Sequence, residues 1–302
     1  MWAFFEPGRS AIVPNITEGE DLVVANALSS MTWSLNLAVG SALGGAVAAF
    51  FGREAVFVLN SLSFLLSAAL LARMRFPEPH LAQAAPMQAR DLVDFSPMAE
   101  GIHYVRRDRR LLATLLVKTG LGLMATHWVL LPIFGERIFP VRTGGLEARE
   151  GGMLGMSLLM GARGIGALLG PVLAGYWTGQ RQPRLRLSIV FGFVAGALGY
   201  LGLAVAPSIA LACATIVLAH AGGSIVWVSS TTLLQLQTED RFRGRVFSAD
   251  FAFLVLSGSV ASYLAGTLVD VGVTVRMLAA ATGLAALLPA VAWSFGLRLW
   301  RE

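Results

Sequence analysis

Several residue types that enzymes and metal sites depend on are scarce in this sequence. One cysteine, Cys213, occurs among 302 residues, which excludes an internal disulfide and a cysteine-rich metal site. The four histidines lack the spacing of a metal-binding motif. No Gly-x-Ser-x-Gly element and no glycine-rich phosphate loop with a lysine are present, which argues against a hydrolase and against direct use of ATP. We therefore predict no enzyme activity, no cofactor and no metal.

Charge is also scarce. Charged residues make up 14% of the chain and hydrophobic residues 56%, whereas soluble domains carry about 25% charged residues. The formal net charge is +5, but the basic residues occur in short clusters between apolar runs. This pattern is typical of membrane loops and not of a nucleic-acid-binding face. The sequence therefore predicts a protein embedded in a lipid bilayer.

Eight stretches are long and apolar enough to cross a bilayer, which takes about 20 residues. Each should be α-helical, because backbone polar groups find no water in hydrocarbon. We predict an all-α polytopic membrane protein with eight transmembrane helices. The spans are Leu22–Gly52, Ala55–Ala72, Leu111–Gly135, Gly151–Gln180, two parts of Leu187–Thr238 divided at Pro207-Ser208, Phe251–Val269 and Met277–Leu297.

The basic residues also predict the orientation. With the N-terminus in the cytoplasm, 16 of the 23 Lys and Arg residues lie inside and 5 outside. Because cytoplasmic loops carry the excess of positive charge, both termini should be cytoplasmic.

The longest polar segment, residues 75–110, follows the second span. Three prolines predict an extended first part, and Ser96-Pro97 then has the form of a helix start. Apolar residues continue at helical spacing to Val105, followed by four arginines. We predict an interfacial amphipathic helix here, with a solvated loop as the alternative.

An internal repeat indicates the architecture. Shifting the chain by 221 residues aligns Thr17-Glu18 with Thr238-Glu239 and Gly45 with Gly266. The first span therefore matches the seventh, six crossings later and in the same direction. Parallel repeats of six helices are the plan of major facilitator transporters.

Three motifs carry a resemblance to that superfamily. "GSALGG" at Gly40–Gly45 resembles the fifth-helix element of its drug–proton antiporters, although Ser41 stands where proline is usual. "QTEDRFRGRVFS" at Gln237–Ser248, with Arg243, Gly244 and Arg245, resembles a cytoplasmic loop of the enterobactin-exporter-like and macrolide-efflux-like branch, the transmembrane secretion effectors. The segment Pro7–Ser30 resembles the matching loop and the start of the fifth helix in the first half.

The resemblance implies a partial major facilitator fold. Residues 1–74 would be the remnant of the N-terminal half, holding the end of helix four and helices five and six. Residues 75–110 would be the cytoplasmic linker, and residues 111–302 a complete six-helix C-terminal half. We expect the four preceding helices to be missing, so that "MWAFF" is the cut end of helix four and the chain alone does not transport.

Small residues at four-residue spacing predict close helix packing, since lipid supplies no hydrophobic drive between helices. They could serve as gating contacts or as static packing. They are Gly40, Gly44, Gly45, Gly166, Gly170 and Gly266.

Ionisable residues at membrane depth are the candidates for a substrate cavity or for coupling. Arg163 lies midway along its span, where a charge costs about 2.5–3.5 kcal/mol. His220 and His127 lie deep as well, while Lys118 is close enough to a span end to snorkel. Each could instead be a buried structural group. No carboxylate lies deep in a predicted span, since Asp250 falls at an end, and Trp128 and Trp227 are expected to pack.

The resemblance implies a secondary transporter in a bacterial-type inner membrane. We expect it to export small, partly hydrophobic organic molecules of the drug or siderophore type, with protons as the expected coupling ion. The alternative is a non-transporting truncated membrane protein, or one part of a split permease.

The orientation can be tested with topology reporters. Fusions after Gln83 and Gln182 should report a cytoplasmic location, and a fusion after Gly144 an external one, because the positive-inside rule assigns these loops so. A cytoplasmic signal after Gly144 would overturn the span assignment.

Overall fold

The computed structural model describes residues 2–17, 21–75, 96–141, 148–179 and 181–300. Within these ranges all regular structure is helical, as predicted. The helices are α1 (Trp2–Ile16), α2 (Leu22–Leu71), α3 (Ser96–Arg107), α4 (Arg109–Gly122), α5 (His127–Ile133), α6 (Ala148–Thr178), α7 (Gln182–Val205), α8 (Ile209–Gln237), α9 (Asp240–Asp270) and α10 (Val275–Gly296), with short 3-10 turns at Leu123–Thr126 and Leu297–Trp300.

The predicted division of the long apolar stretch near Pro207 is confirmed. Helix α7 ends at Val205, and α8 begins at Ile209. Ser208 precedes α8, and its hydroxyl accepts a hydrogen bond from the Leu211 N–H at 3.4 Å. This is the usual role of serine at a helix N-terminus, where the first N–H groups lack partners within the helix.

The third predicted span is an irregular helix. Helix α4 passes through the 3-10 turn into α5, and a π-helical turn follows at Phe134–Ile138. Pro132 lies within α5, where it cannot donate a backbone hydrogen bond. The 3-10 turn matters for the site, because it lies immediately before His127.

Helix α2 departs from the prediction. Two spans separated by a turn at Arg53-Glu54 were expected, but Leu22–Leu71 is one continuous helix of 50 residues. At 1.5 Å per residue it is about 75 Å long, against a hydrocarbon thickness of about 30 Å. Arginine and glutamate are good helix formers, so nothing local forces a turn there. The expected turn rested on bilayer thickness alone.

The second half of α2 has no buried residue within the described ranges. None of the segment Glu54–Leu71 is buried, and Phe57 and Phe64 are 72% and 65% exposed. It is one of seven described segments long and apolar enough to cross a membrane. Residues 22–52 are not among the seven, so the count of eight stays a prediction.

The main core lies where α7, α8 and α10 meet α4. Phe193 and Tyr200 of α7 are fully buried there, together with Ile216 of α8 and Ala286 of α10. Helices α7 and α8 approach closely, because a Cβ at Gly192 would lie 2.7 Å from the carbonyl oxygen of Gly222. The sequence analysis did not identify this seam.

Of the glycines proposed for packing, two lie at a close helix contact. A Cβ at Gly166 would overlap the carbonyl oxygen of Val217, and one at Gly170 that of Ala221, so α6 meets α8 backbone to backbone. Gly266 differs, since a Cβ there would meet no described atom within 4 Å. The surroundings of Gly40, Gly44 and Gly45 lie outside the described residues.

The amphipathic helix after the proline-containing segment is present as α3. The Tyr104 ring stacks on Phe242 with centroids 4.1 Å apart, and Arg245 donates to Glu100 at 3.0 Å. Asp108 lies between α3 and α4 and caps the start of α4, because its side chain accepts hydrogen bonds from the N–H groups of Arg110 and Leu111. Helix α3 is thereby fixed against the start of α9.

The contact between α6 and α8 can be tested with one methyl group. Gly166→Ala should lower the free energy of unfolding by about 1–3 kcal/mol, since the new Cβ displaces the Val217 carbonyl. Gly164→Ala is the matched control, because a Cβ there meets nothing within 4 Å. Thermal unfolding of both proteins in one detergent measures the difference, and equal midpoints would contradict the seam.

Candidate functional site

A cavity of about 650 Å³ lies between α1 and α2 on one side and helices α4 to α9 on the other. Three tryptophans from different helices line it, Trp33 of α2, Trp128 of α5 and Trp227 of α8. Its size falls in the range of about 300–1,000 Å³ typical of small-molecule sites. The cavity is thus an aromatic chamber of ligand size.

Arg163 lies in the wall of this cavity, at the midpoint of α6. It is 8% exposed, and its Nε has no hydrogen-bond partner. The guanidinium carbon lies 4.7 Å from the Trp128 ring centroid and 5.9 Å from that of Trp33. Cation–π attraction offsets part of the cost of the buried charge.

His127 and His220 form a second polar group in the same wall. Their rings are perpendicular, with centroids 4.9 Å apart. His127 Nδ1 donates to the Met124 carbonyl at 3.0 Å, and the Tyr200 hydroxyl donates to the same oxygen at 3.2 Å. The Nε2 atoms of both histidines are buried without a partner.

This cluster does not have the donor set of a metal site. No group of three or more His, Cys, Asp or Glu side chains suited to a metal occurs in the part of the chain that the structure describes. Both histidines line the cavity, while their unpartnered Nε2 atoms are themselves buried.

The remaining charges of the cavity wall belong to α1. Glu6 and Arg9 form a bidentate ion pair, with Arg9 Nε donating to one carboxylate oxygen at 3.1 Å. Arg9 also donates to Ser29 of α2. This pair is satisfied locally.

Lys118, the fourth predicted site residue, lies outside the cavity. It is 1% exposed, and its Nζ donates to Asp250 Oδ2 at 2.8 Å and to Thr231 Oγ1 at 3.1 Å. The Trp227 ring lies 4.2 Å from Nζ and also lines the cavity, so this indole separates the ion pair from the chamber. Lys118 does not snorkel.

The position of Asp250 corrects the sequence analysis. It was expected at the end of a span that began at Phe251, but α9 begins at Asp240 and Asp250 is 4% exposed. The charged segment before it was interpreted as a loop, although Arg and Glu are compatible with a helix. A carboxylate therefore does lie deep in the bundle, with Oδ1 unpartnered.

A polar network connects the first helices with α8 and α9. Asn15 of α1 donates to Asp240 at 2.9 Å and accepts from Arg243 at 2.6 Å. Asn26 of α2 donates to Thr232 at 3.1 Å and to Gln235. The motif Arg243-Gly244-Arg245 therefore contacts two other helices, α1 through Arg243 and α3 through Arg245. A Cβ at Gly244 would meet no described atom within 4 Å.

Sequence reasoning found three of the residues that meet at the cavity and missed others. Arg163, His127 and His220 stood out as polar residues in apolar spans. Trp128 and Trp227 were assigned to packing, yet they contact Arg163 and Lys118. Trp33 and Tyr200 carried no signal, because an aromatic residue in an apolar run does not reveal which face it occupies.

Comparisons with known proteins agree with this architecture. A family model described as transmembrane secretion effector matches residues 2–302. The Escherichia coli fucose:proton symporter is similar in structure, with a TM-score of 0.64 at 13% identity. A bacterial homologue of the iron transporter ferroportin, in an outward-facing state, gives a TM-score of 0.61 at 19% identity.

The two similarities cover 96% of this chain in each case. They cover 72% of the symporter and 66% of the ferroportin homologue, so the chain spans about two thirds of their lengths. At these identities the likeness concerns the fold. A search of curated proteins found no match.

The Lys118–Asp250 pair generates a stability prediction. Lys118→Met or Asp250→Leu alone should destabilise the protein by about 3–5 kcal/mol, because each leaves one charge buried and unpaired. The double variant should recover most of the loss. Thermal unfolding in detergent ranks the three proteins.

The surface pair of Glu239 and Arg241 provides the control. Their side chains are 59% and 68% exposed, and Glu239→Gln should leave the unfolding midpoint nearly unchanged. If the Lys118→Met/Asp250→Leu double variant is as unstable as the single variants, charge pairing does not account for the stability that these two residues contribute.

Proposed function

Because the chain belongs to the transmembrane secretion effector family of the major facilitator superfamily, we propose that it exports small, partly hydrophobic organic molecules by secondary active transport. The superfamily consists of membrane transporters, so family membership indicates transport and not catalysis. Export follows from the family's description, since the cavity geometry has no direction of its own.

The observation that carries the proposal is the cavity between the first two helices and the rest of the bundle. Transporters of this superfamily hold substrates at the interface between their halves. Here α1 and α2 contribute one wall, and α6 and α8 contribute Arg163 and His220 to the other. The likeness in fold to two transporters supports the same interpretation.

The lining supports the substrate class. A volume of about 650 Å³ accommodates a small organic molecule. Three indole rings favour an apolar body, and the polar groups of Arg163 and the two histidines provide a few fixed points for orientation. Drugs and siderophores are both within this class.

Proton coupling is the proposed driving force. One structural neighbour is a proton symporter. Among the described residues, His127, His220 and Glu6 of the cavity wall and Asp250 beside it carry groups that can take up a proton. Asp250 lies behind Trp227, beside the cavity, and one of its oxygens is free. A bacterial inner membrane with both termini cytoplasmic remains the proposed setting.

Filling the cavity tests whether transport uses it. Gly223→Trp introduces an indole into the chamber, where a Cβ would meet just one described side chain within 4 Å, that of Leu121 at 3.7 Å. Cells expressing the protein should export a panel of dyes and antibiotics, and this variant should lose export at normal membrane abundance. The intracellular accumulation of each compound measures export by the unchanged protein and by the variant. Repeating the measurement with a protonophore tests whether export depends on the proton gradient.

Gly161→Trp is the matched control. Gly161 lies on the exposed side of α6, outside the cavity wall, with nothing within 4 Å of a Cβ. This variant should retain export. Undiminished export by Gly223→Trp would contradict transport through the cavity.

A further inference from the structure

The charged groups around the cavity do not balance. Two arginines and one glutamate line it among the described residues. Glu6 is engaged by Arg9 through both of its oxygens. None of the ion pairs in the described ranges includes Arg163, which leaves one uncompensated cation in an apolar wall.

Among the described residues, no neighbouring side chain can act as the counter-ion of Arg163. His127 uses Nδ1 to donate to Met124, so its neutral ring offers only a lone pair at Nε2. A histidine such as His220 cannot carry a negative charge. The Tyr200 hydroxyl is protonated, because it donates a hydrogen bond to the Met124 carbonyl. Asp250 is behind Trp227 and already paired with Lys118. A buried charge without a partner is unfavourable, and an anionic occupant would supply the partner.

The surroundings of Arg163 also favour a planar occupant. The guanidinium carbon lies 4.7 Å from the Trp128 ring centroid and 5.9 Å from that of Trp33, so a flat aromatic ligand beside Arg163 would also meet indole surface. A guanidinium can donate two parallel hydrogen bonds to a carboxylate, and no ion pair within the described ranges uses Arg163. Trp227 adds a further aromatic surface to the cavity.

We propose that the cavity selects organic anions with a planar aromatic body, and that Arg163 binds their carboxylate. The inference rests on the proposed transport function, which it makes more specific. It assigns the aromatic walls to the apolar body and the single uncompensated cation to the acidic group.

Three probes of the same shape test the charge preference. 2-Naphthoate, 2-naphthamide and 2-naphthylmethylammonium share one ring system and differ in charge. Binding to the purified protein in detergent can be followed by quenching of tryptophan fluorescence, since three tryptophans line the cavity. The anion should bind about tenfold more tightly than the amide, because only the carboxylate can pair its own negative charge with the guanidinium through two parallel hydrogen bonds. The cation should bind most weakly.

Two substitutions assign the preference to Arg163. Arg163→Gln should remove the advantage of naphthoate over naphthamide, and continued binding of naphthamide to the variant would report an intact cavity. Arg163→Lys should retain part of the advantage, because an ammonium keeps the charge but not the planar fork. Arg276→Gln is the matched control, since Arg276 also lies over an aromatic ring, Phe139 at 5.7 Å, but outside the cavity.

Equal affinity for naphthoate and naphthamide would overturn the inference, as would an anion preference that persists in Arg163→Gln. Failure of all three probes to bind would overturn the assignment of planar aromatic acids. These outcomes are distinct from failure of the proposed function, which the Gly223→Trp export assay measures. Export through the cavity without anion preference would leave only the general proposal standing.

Discussion

The position of α8 is the constraint on which the rest of the structure depends. Its backbone meets α6 at Gly166 and α7 at Gly192 so closely that neither contact leaves room for a methyl group. Lateral position and rotation of α8 are thereby fixed. Helix α8 contributes side chains to the cavity, to the buried ion pair and to the polar network. These are His220 and Trp227, then Thr231, then Thr232 and Gln235.

The two buried cations within the described residues, Lys118 and Arg163, have opposite kinds of surroundings. Lys118 has a carboxylate, a hydroxyl and an indole around its ammonium group, which together replace its hydration. Arg163 has aromatic faces and open cavity. Lys118 thus has its counter-ion within the protein, whereas no ion pair in the described ranges includes Arg163. Trp227 forms the boundary between them, so the two sites are neighbours without sharing a partner.

The sequence could predict features that depend on one segment at a time. Apolar length gave the helices of residues 109–300, and Pro207 gave a boundary. Arg163 stood out because a charge in an apolar run is costly wherever it points. The Lys118–Asp250 pair could not be predicted, since it depends on the register between α4 and α9. The continuous α2 was missed for another reason: bilayer thickness is a property of the surroundings, while Arg53 and Glu54 favour helix locally.

The network between the first helices and the rest of the bundle differs in kind from the glycine seams. Asn15, Asn26 and Arg243 use side-chain hydrogen bonds, each contributing about 0.5–1.5 kcal/mol net. The contacts of α8 with α6 and α7 are made by the backbones themselves. Side-chain substitutions can therefore weaken the attachment of α1 and α2 to α8 and α9, whereas the seams on the other side of α8 respond to any side chain that replaces their glycines.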